Sequence, residues 1–242
     1  MFIASGVCFY AHLEQILQVS RNRFNNLIPA SLDADLPDQP LTLAVPHSPA
    51  VFSIVLYTIY GWPSAAAAPT LDEILTAVDA LHLYGVPLST CVKPDTPLWS
   101  LLQQCAPLRP LDIYAMAGQY ELEQLAVSVS SQLLSVDLSV LPDEVAVKMG
   151  ARYLYRLANL QTKRMTNLRQ LLLQPPNIHV PSSTCSVALQ KRNLTAAWAE
   201  ASMGLAWIAK PGKYYTVYHS IDRSLHHRRS AYERHKTCDR TH

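Results

Sequence analysis

Apolar positions come in short alternating runs at the start of the chain and then settle at spacings of three and four. Residues 1–4 read as a strand, Ser5-Gly6 as a tight turn and residues 7–10 as a second strand, which together predict a hairpin. Ala11-His12 leads into a short helix carrying Leu13, Ile16 and Leu17. Ser20 breaks it, and a second short helix carrying Phe24 and Leu27 is expected to follow. Residues 31–39, rich in Asp and Pro, read as loop. Residues 41–45 alternate like a half-buried strand, which Pro46 closes because it has no N–H for a ladder.

Helices dominate from there. Ser48 caps a helix with Pro49 at its first position, and Phe52, Val55, Leu56, Ile59 and Tyr60 share one face. Gly61-Trp62-Pro63 stops it, and the alanines at 65–68 read as loop. Thr70-Leu71-Asp72-Glu73 is a capping box, in which the Thr hydroxyl meets the Glu73 amide and the Glu carboxylate reaches back. Leu71, Ile74, Leu75, Val78 and Leu81 form that helix's buried stripe, and Gly85 ends it ahead of Pro87. Thr96-Pro97 opens another helix, with Leu98, Leu101, Leu102 and Cys105 inward. Residues 111–117 and 122–134 are predicted as a helical pair broken at Gly118, the second bearing Leu122, Leu125, Ala126, Val129 and Leu133 on one face. Beyond Pro142 a long helix is expected over about residues 144–173, with Leu154, Leu157, Met165, Leu168 and Leu172. Pro175-Pro176 ends it, and a further helix spans about 194–208.

Composition narrows the classes. A chain of 242 residues can bury a substantial core in one large or two small domains. Its 49% hydrophobic content is that of a folded protein, and a net charge of +2 does not suit nucleic acid as a default partner. No run reaches the ~18 apolar residues of a membrane span, and the first residues lack the basic and apolar regions of a signal peptide. Five scattered cysteines, Cys8, Cys91, Cys105, Cys185 and Cys238, read as reduced thiols. A cytoplasmic or nuclear location is the expectation, with neither nucleic acid nor membrane as partner.

The run through Phe9, Ala11-His12, the apolar positions after it, Ser20 and Phe24 resembles the opening of the BTB/POZ fold. Four further segments add to this resemblance in the right order. Tyr57-Thr58-Ile59-Tyr60-Gly61 is similar to the family's third-helix ending, and the helix from Leu71 to Pro87 is similar to its next helix. The stretch from Asp112 through Tyr114, Ala117, Tyr120 and Glu123 is similar to the segment after many fungal BTB domains. Arg152-Tyr153-Leu154-Tyr155-Arg156-Leu157 resembles a helix downstream of it in a basidiomycete-type group. The resemblance covers residues 1–173.

It implies an α+β fold: a BTB/POZ-like small sheet wrapped by helices over residues 1–88, then an all-helical extension over 89–212. A basic, His-rich tail over 213–242 is expected to be disordered. It also implies a non-catalytic protein–protein interaction module, working by homodimerisation or partner recruitment. The alternative is a substrate adaptor of a cullin-type ubiquitin ligase, with a cullin as partner. The family's usual first strand is shortened here, so the start is expected to be truncated and dimerisation altered. Gly212-Lys213-Tyr214 is what a read-through splice donor would encode, and the tail is therefore read as translated intron. Dimer contacts implied by the resemblance fall on Phe2, Ile3, Val7, Phe9, Leu13, Ile16 and Leu17, residues that suit a core equally, with Trp62 as an exposed aromatic anchor.

Candidate chemistry is thin. His12 has no nucleophile or acid spaced to partner it, and the resemblance implies a structural role at the strand–helix join. His226, His227, His235 and Cys238 have ligand-like spacing, but Arg228, Arg229 and Arg234 repel a cation there. The tail's arginines suit an anion, diluted by Asp222, Glu233 and Asp239. Phosphate-binding glycine loops, a GxSxG elbow and HExxH are absent from the sequence. Trp99, Tyr114 and Tyr120 lie on helical faces and are expected to pack inward. No catalytic, cofactor-binding or metal-ligating residue is assigned, and no cofactor is expected.

Overall fold

The computed structural model describes residues 1–30, 41–63, 69–178, 180 and 186–208. The expected loops at 31–39 and 65–68 and the tail at 213–242, with its histidines and Cys238, lie outside the described residues, as does Cys185. The chain is α+β, with a three-stranded sheet and helices elsewhere. It divides into two compact units: residues 1–133 with 142–154, and residues 134–141 with 155 onward.

The first unit begins with the expected hairpin. Strands β1 (Phe2–Ala4) and β2 (Val7–Phe9) pair antiparallel, Phe2 opposite Phe9 and Ala4 opposite Val7. Ser5 and Gly6 both take positive φ (45° and 84°), the turn whose twist matches that of the strands. Strand β3 (Leu43–Val45) runs parallel to β1 on its other side, giving the order β2-β1-β3.

Helix α1 (Leu13–Val19) follows the hairpin, and α2 (Pro49–Tyr60) follows β3. Ser48 caps α2 by accepting from the Val51 amide at 3.3 Å, and Gly61 (φ 68°) closes it. Helix α3 (Leu71–Leu83) carries the complete capping box: Glu73 N–H donates to the Thr70 hydroxyl, and Thr70 N–H to Glu73 Oε2 at 2.8 Å. Helices α2 and α3 pack on each other, α2 burying Val51, Phe52, Val55 and Ile59 among others and α3 burying Ile74, Ala77, Val78 and Leu81. Phe2, Phe24 and Phe52 meet between the sheet and α2, with centroids 5.2 and 5.4 Å from Phe2. Phe24 also lies flat on Tyr84 at 3.9 Å. Such pairs add about 0.5–1.5 kcal/mol each beyond their burial.

Three expectations are corrected. Residues 21–28 form no α-helix: Arg23, Phe24, Asn25 and Asn26 all have φ between 54° and 58°, a single left-handed turn. It buries Phe24 as expected, and Ile28 in place of Leu27. Gly118 does not break the next helical pair. Helix α4 (Leu88–Cys91) and α5 (Pro97–Cys105) lead to α6 (Pro110–Gln119), which runs through Gly118. The break falls at Glu121, whose φ is 53°, before α7 (Glu123–Ser130). Gly118 serves close approach instead, because a Cβ there would strike the Met149 carbonyl. Finally, α8 (Asp143–Leu172) is interrupted at Gly150, whose φ of 75° and ψ of 157° belong to a region open essentially to glycine. Helices α4 to α7 share a compact unit with the sheet, so that unit extends beyond residue 88.

In the second unit the C-terminal part of α8 lies beside α9 (Val187–Ile208), which starts earlier than its periodicity predicts. The Trp198 indole donates to the Leu172 carbonyl at 2.8 Å. Gln161 and Arg164 tie α8 to the Val136 and Leu134 carbonyls at 2.8 and 3.2 Å.

Candidate interaction surface

Among the described residues strand β2 is an edge of the sheet. A two-residue turn makes Ala4 and Val7 the hydrogen-bonded closing pair, so Ile3 and Cys8 form the next, non-bonded pair. The Cys8 N–H and C=O therefore point away from β1. Val7 is 45% exposed and Tyr10, just past the strand, 82% exposed. An edge with outward backbone groups and uncharged side chains is a template for another strand.

A second feature lies at the C-terminal end of α2. Left-handed Gly61 turns the chain so that Trp62 N–H donates to the Tyr57 carbonyl at 2.8 Å. That brings the Trp62 ring to 4.8 Å from Tyr60, tilted by 28°, and to 6.3 Å from Tyr57. Trp62 stays 55% exposed. Tyr60 is fixed from the other side: its hydroxyl accepts from the His12 backbone N–H at 2.8 Å, and His12 Nδ1 lies 3.0 Å away. His12 thus joins the entry of α1 to the end of α2, and its observed partner is a tyrosine, not a nucleophile or an acid.

Beneath these surfaces the left-handed turn is tied down by side chains. Left-handed helix costs about 1–2 kcal/mol per residue, least for asparagine. Ser20 offsets part of this: its hydroxyl accepts from the Phe24 N–H and donates to the Tyr84 carbonyl, both at 2.6 Å. Asn22 accepts from the Asn25 N–H and donates to the Leu83 carbonyl, both at 2.8 Å. Arg23 reaches the Ile28 and Pro29 carbonyls at 3.0 and 2.7 Å. Gly85 fits against this turn, since a Cβ there would lie 2.5 Å from Asn22 Oδ1. Tyr84 is 1% exposed, and its hydroxyl has no partner among the described residues. Burial pushes its pKa up to about 12. His47 stands edge-on to it at 5.5 Å, with Nε2 buried and unpartnered among the described residues, and burial lowers its pKa.

Other groupings offer little chemistry. An open groove of about 470 Å³ runs past Arg21, His82, Leu88, Gln119 and Tyr120. The Tyr120 hydroxyl is committed to Asp79 at 2.6 Å, and burial, followed by that bond, raises its pKa. Arg109 bridges Asp72 and Asp112 at 2.7 and 2.6 Å on the surface, where such pairs contribute little. Burial raises the Cys91 thiol's pKa, which favours the unreactive protonated form. Among the described residues there is no cluster of metal-ligating side chains, and no helix is long and apolar enough to cross a membrane.

The expected contact residues separate by burial. Phe2 and Ile16, at 4% and 0% exposure, pack in the core. Ile3, Phe9, Leu13 and Leu17 are partly exposed, and Val7 and Trp62 are exposed. Of the other aromatics, Tyr114 is buried and donates to the Tyr153 carbonyl at 3.1 Å, while Trp99 and Tyr120 are half-buried. Sequence reading missed Tyr57 and Tyr60 as partners of Trp62. The Tyr-x-x-Tyr-Gly-Trp spacing, with a glycine able to reverse the chain, was the available signal. No protein-family model, curated protein or solved structure matches this chain.

Proposed function

We propose that this chain is a non-catalytic protein–protein interaction module of BTB/POZ type that self-associates through its first hairpin. The observation carrying the reading is the open β2 edge, where Cys8 offers both backbone groups outward between exposed Val7 and half-buried Phe9. Two such edges pairing antiparallel would satisfy each other's groups and remove the aggregation hazard of a lone edge. The hairpin is anchored for this task by Phe2 and Phe9, which both pack on Phe52.

Light scattering on the full chain after size-exclusion chromatography tests the reading. Self-association predicts about twice the 27.0 kDa chain mass. Cys8→Pro is expected to return the monomer, since proline removes an N–H that β1 does not use. A monomeric wild type at high micromolar concentration contradicts it.

The cullin-adaptor alternative draws support from α4 to α7 sharing the sheet's compact unit, because helices after the core would complete a cullin contact. Failure of the chain to retain a cullin N-terminal domain at micromolar concentration would remove it.

A further inference from the structure

We propose that the aromatic platform of Tyr57, Tyr60 and Trp62 is a docking site for a proline-rich segment in the polyproline II conformation. This surface and partner are separate from hairpin self-association, and the proposal stands without it.

The platform is built before any ligand arrives. The Gly61 reversal and the Trp62–Tyr57 backbone bond set the indole, and His12 sets Tyr60. A preformed aromatic surface loses little entropy on binding. The Tyr60 and Tyr57 rings stand at 28° and 48° to Trp62, whose exposed indole surface is open to a ridge of pyrrolidine rings.

The polar atoms favour the same ligand. The Trp62 indole N–H and the Tyr57 hydroxyl have no hydrogen-bond partner among the described residues. A polyproline II segment has no internal hydrogen bonds and turns its carbonyls outward, so it supplies acceptors without competing donors. This pairing of aromatic grooves with proline-rich segments is a general recognition mode.

Charge excludes the competitors. From Gln39 to Leu71 there is no Asp, Glu, Lys or Arg, where about five would be expected at the chain's 16% average. The stretch from Met1 to Leu13, which supplies His12, has none either. A stacked nucleotide needs basic residues for its phosphate, and these segments have none. A cationic ligand over an exposed ring face gains little, and these segments hold no carboxylate to add to it.

Titration of the full chain with a decaproline peptide, followed by calorimetry and tryptophan fluorescence, tests the proposal. A Gly/Ser decapeptide is the control. Saturable binding of decaproline alone is expected, weakened at least about tenfold by Trp62→Ala with an unchanged melting temperature. Cys8→Pro should bind as wild type does, which separates this site from the hairpin. If Trp62→Ala does not fold, Tyr57→Phe removes only a donor and should weaken binding several-fold. No heat at millimolar peptide, equal binding of the control, or undiminished binding by Trp62→Ala would overturn the proposal. So would a Trp62-dependent change in molar mass with no peptide heat, which would make the platform a self-contact.

Discussion

Replacing Gly118 by alanine sets two effects of similar size against each other. Inside a helix, alanine is favoured over glycine by about 1 kcal/mol. The new Cβ, however, meets three backbone atoms of Met149: its carbonyl oxygen at less than contact distance, and its C and Cα at 3.1 Å. Backbone yields less readily than a flexible side chain, and this stretch is pinned. The Met149 side chain is 0% exposed, and Gly150 beyond it holds the interruption of α8. Overpacking costs about 1–3 kcal/mol, and a clash with pinned backbone belongs to the upper part of that range, about 2–3 kcal/mol. The clash therefore wins, and Gly118→Ala should destabilise the protein by about 1–2 kcal/mol, or roughly 2–8 °C in melting temperature. Gly204 in α9 is the internal control. Nothing lies within 4 Å of a Cβ there, so Gly204→Ala should stabilise by about 0.5–1 kcal/mol. Urea unfolding followed by circular dichroism at 222 nm measures both. Equal or greater stability of Gly118→Ala would refute the close approach of α6 and α8.

Three further substitutions or conditions test the core. Ser20→Ala strands the Phe24 N–H and the Tyr84 carbonyl, and should cost about 2–4 kcal/mol in urea unfolding; a loss below 1 kcal/mol would mean the left-handed turn does not depend on that hydroxyl. Tyr84→Phe removes a buried, unpartnered hydroxyl and keeps the ring stacked on Phe24, so stability should hold or rise by about 1 kcal/mol, and a loss would reveal a hidden partner. His47 is held neutral in the fold while the unfolded chain takes up a proton near the ordinary value of 6.5. Stability is therefore complete above pH ~6.5 and falls as pH drops below it towards the lowered folded value. Melting temperatures at pH 7.5 and 5.5 should show this decline, and His47→Phe should reduce it.

The strongest local signals in the sequence were those with a complete mechanism. Ser48-Pro49 and Thr70 with Glu73 satisfy helix-start amides by themselves, and Ser5-Gly6 permits the hairpin turn by itself. Where tertiary contacts decide, local reading failed. Ser20-Arg21-Asn22-Arg23-Phe24 looks helical, but the Ser20 bond to Tyr84 and the stacking of Phe24 on Tyr84 come from a helix about sixty residues away. The asparagines at 22, 25 and 26 were the only local hint of a left-handed path. Gly118 looks like a break because periodicity cannot tell a helix stop from a point of close approach. Gly150 was hidden for the opposite reason, since good helix formers flank it. Trp62, in the loop after Gly61, is legible as exposed, whereas Phe2, Val7 and Ile16 read equally as contact or core, because strands and helices this short have too little pattern to show which face turns inward.

Amide hydrogen exchange at residues 7–10, followed as a function of protein concentration, tests the central claim most directly. Pairing of β2 edges predicts that the Cys8 and Tyr10 amides, which β1 leaves free, become protected at high concentration and lose that protection on dilution. Rapid exchange of both amides at every concentration, with the Phe9 amide protected throughout, would show a stable hairpin whose edge stays open and would contradict the account.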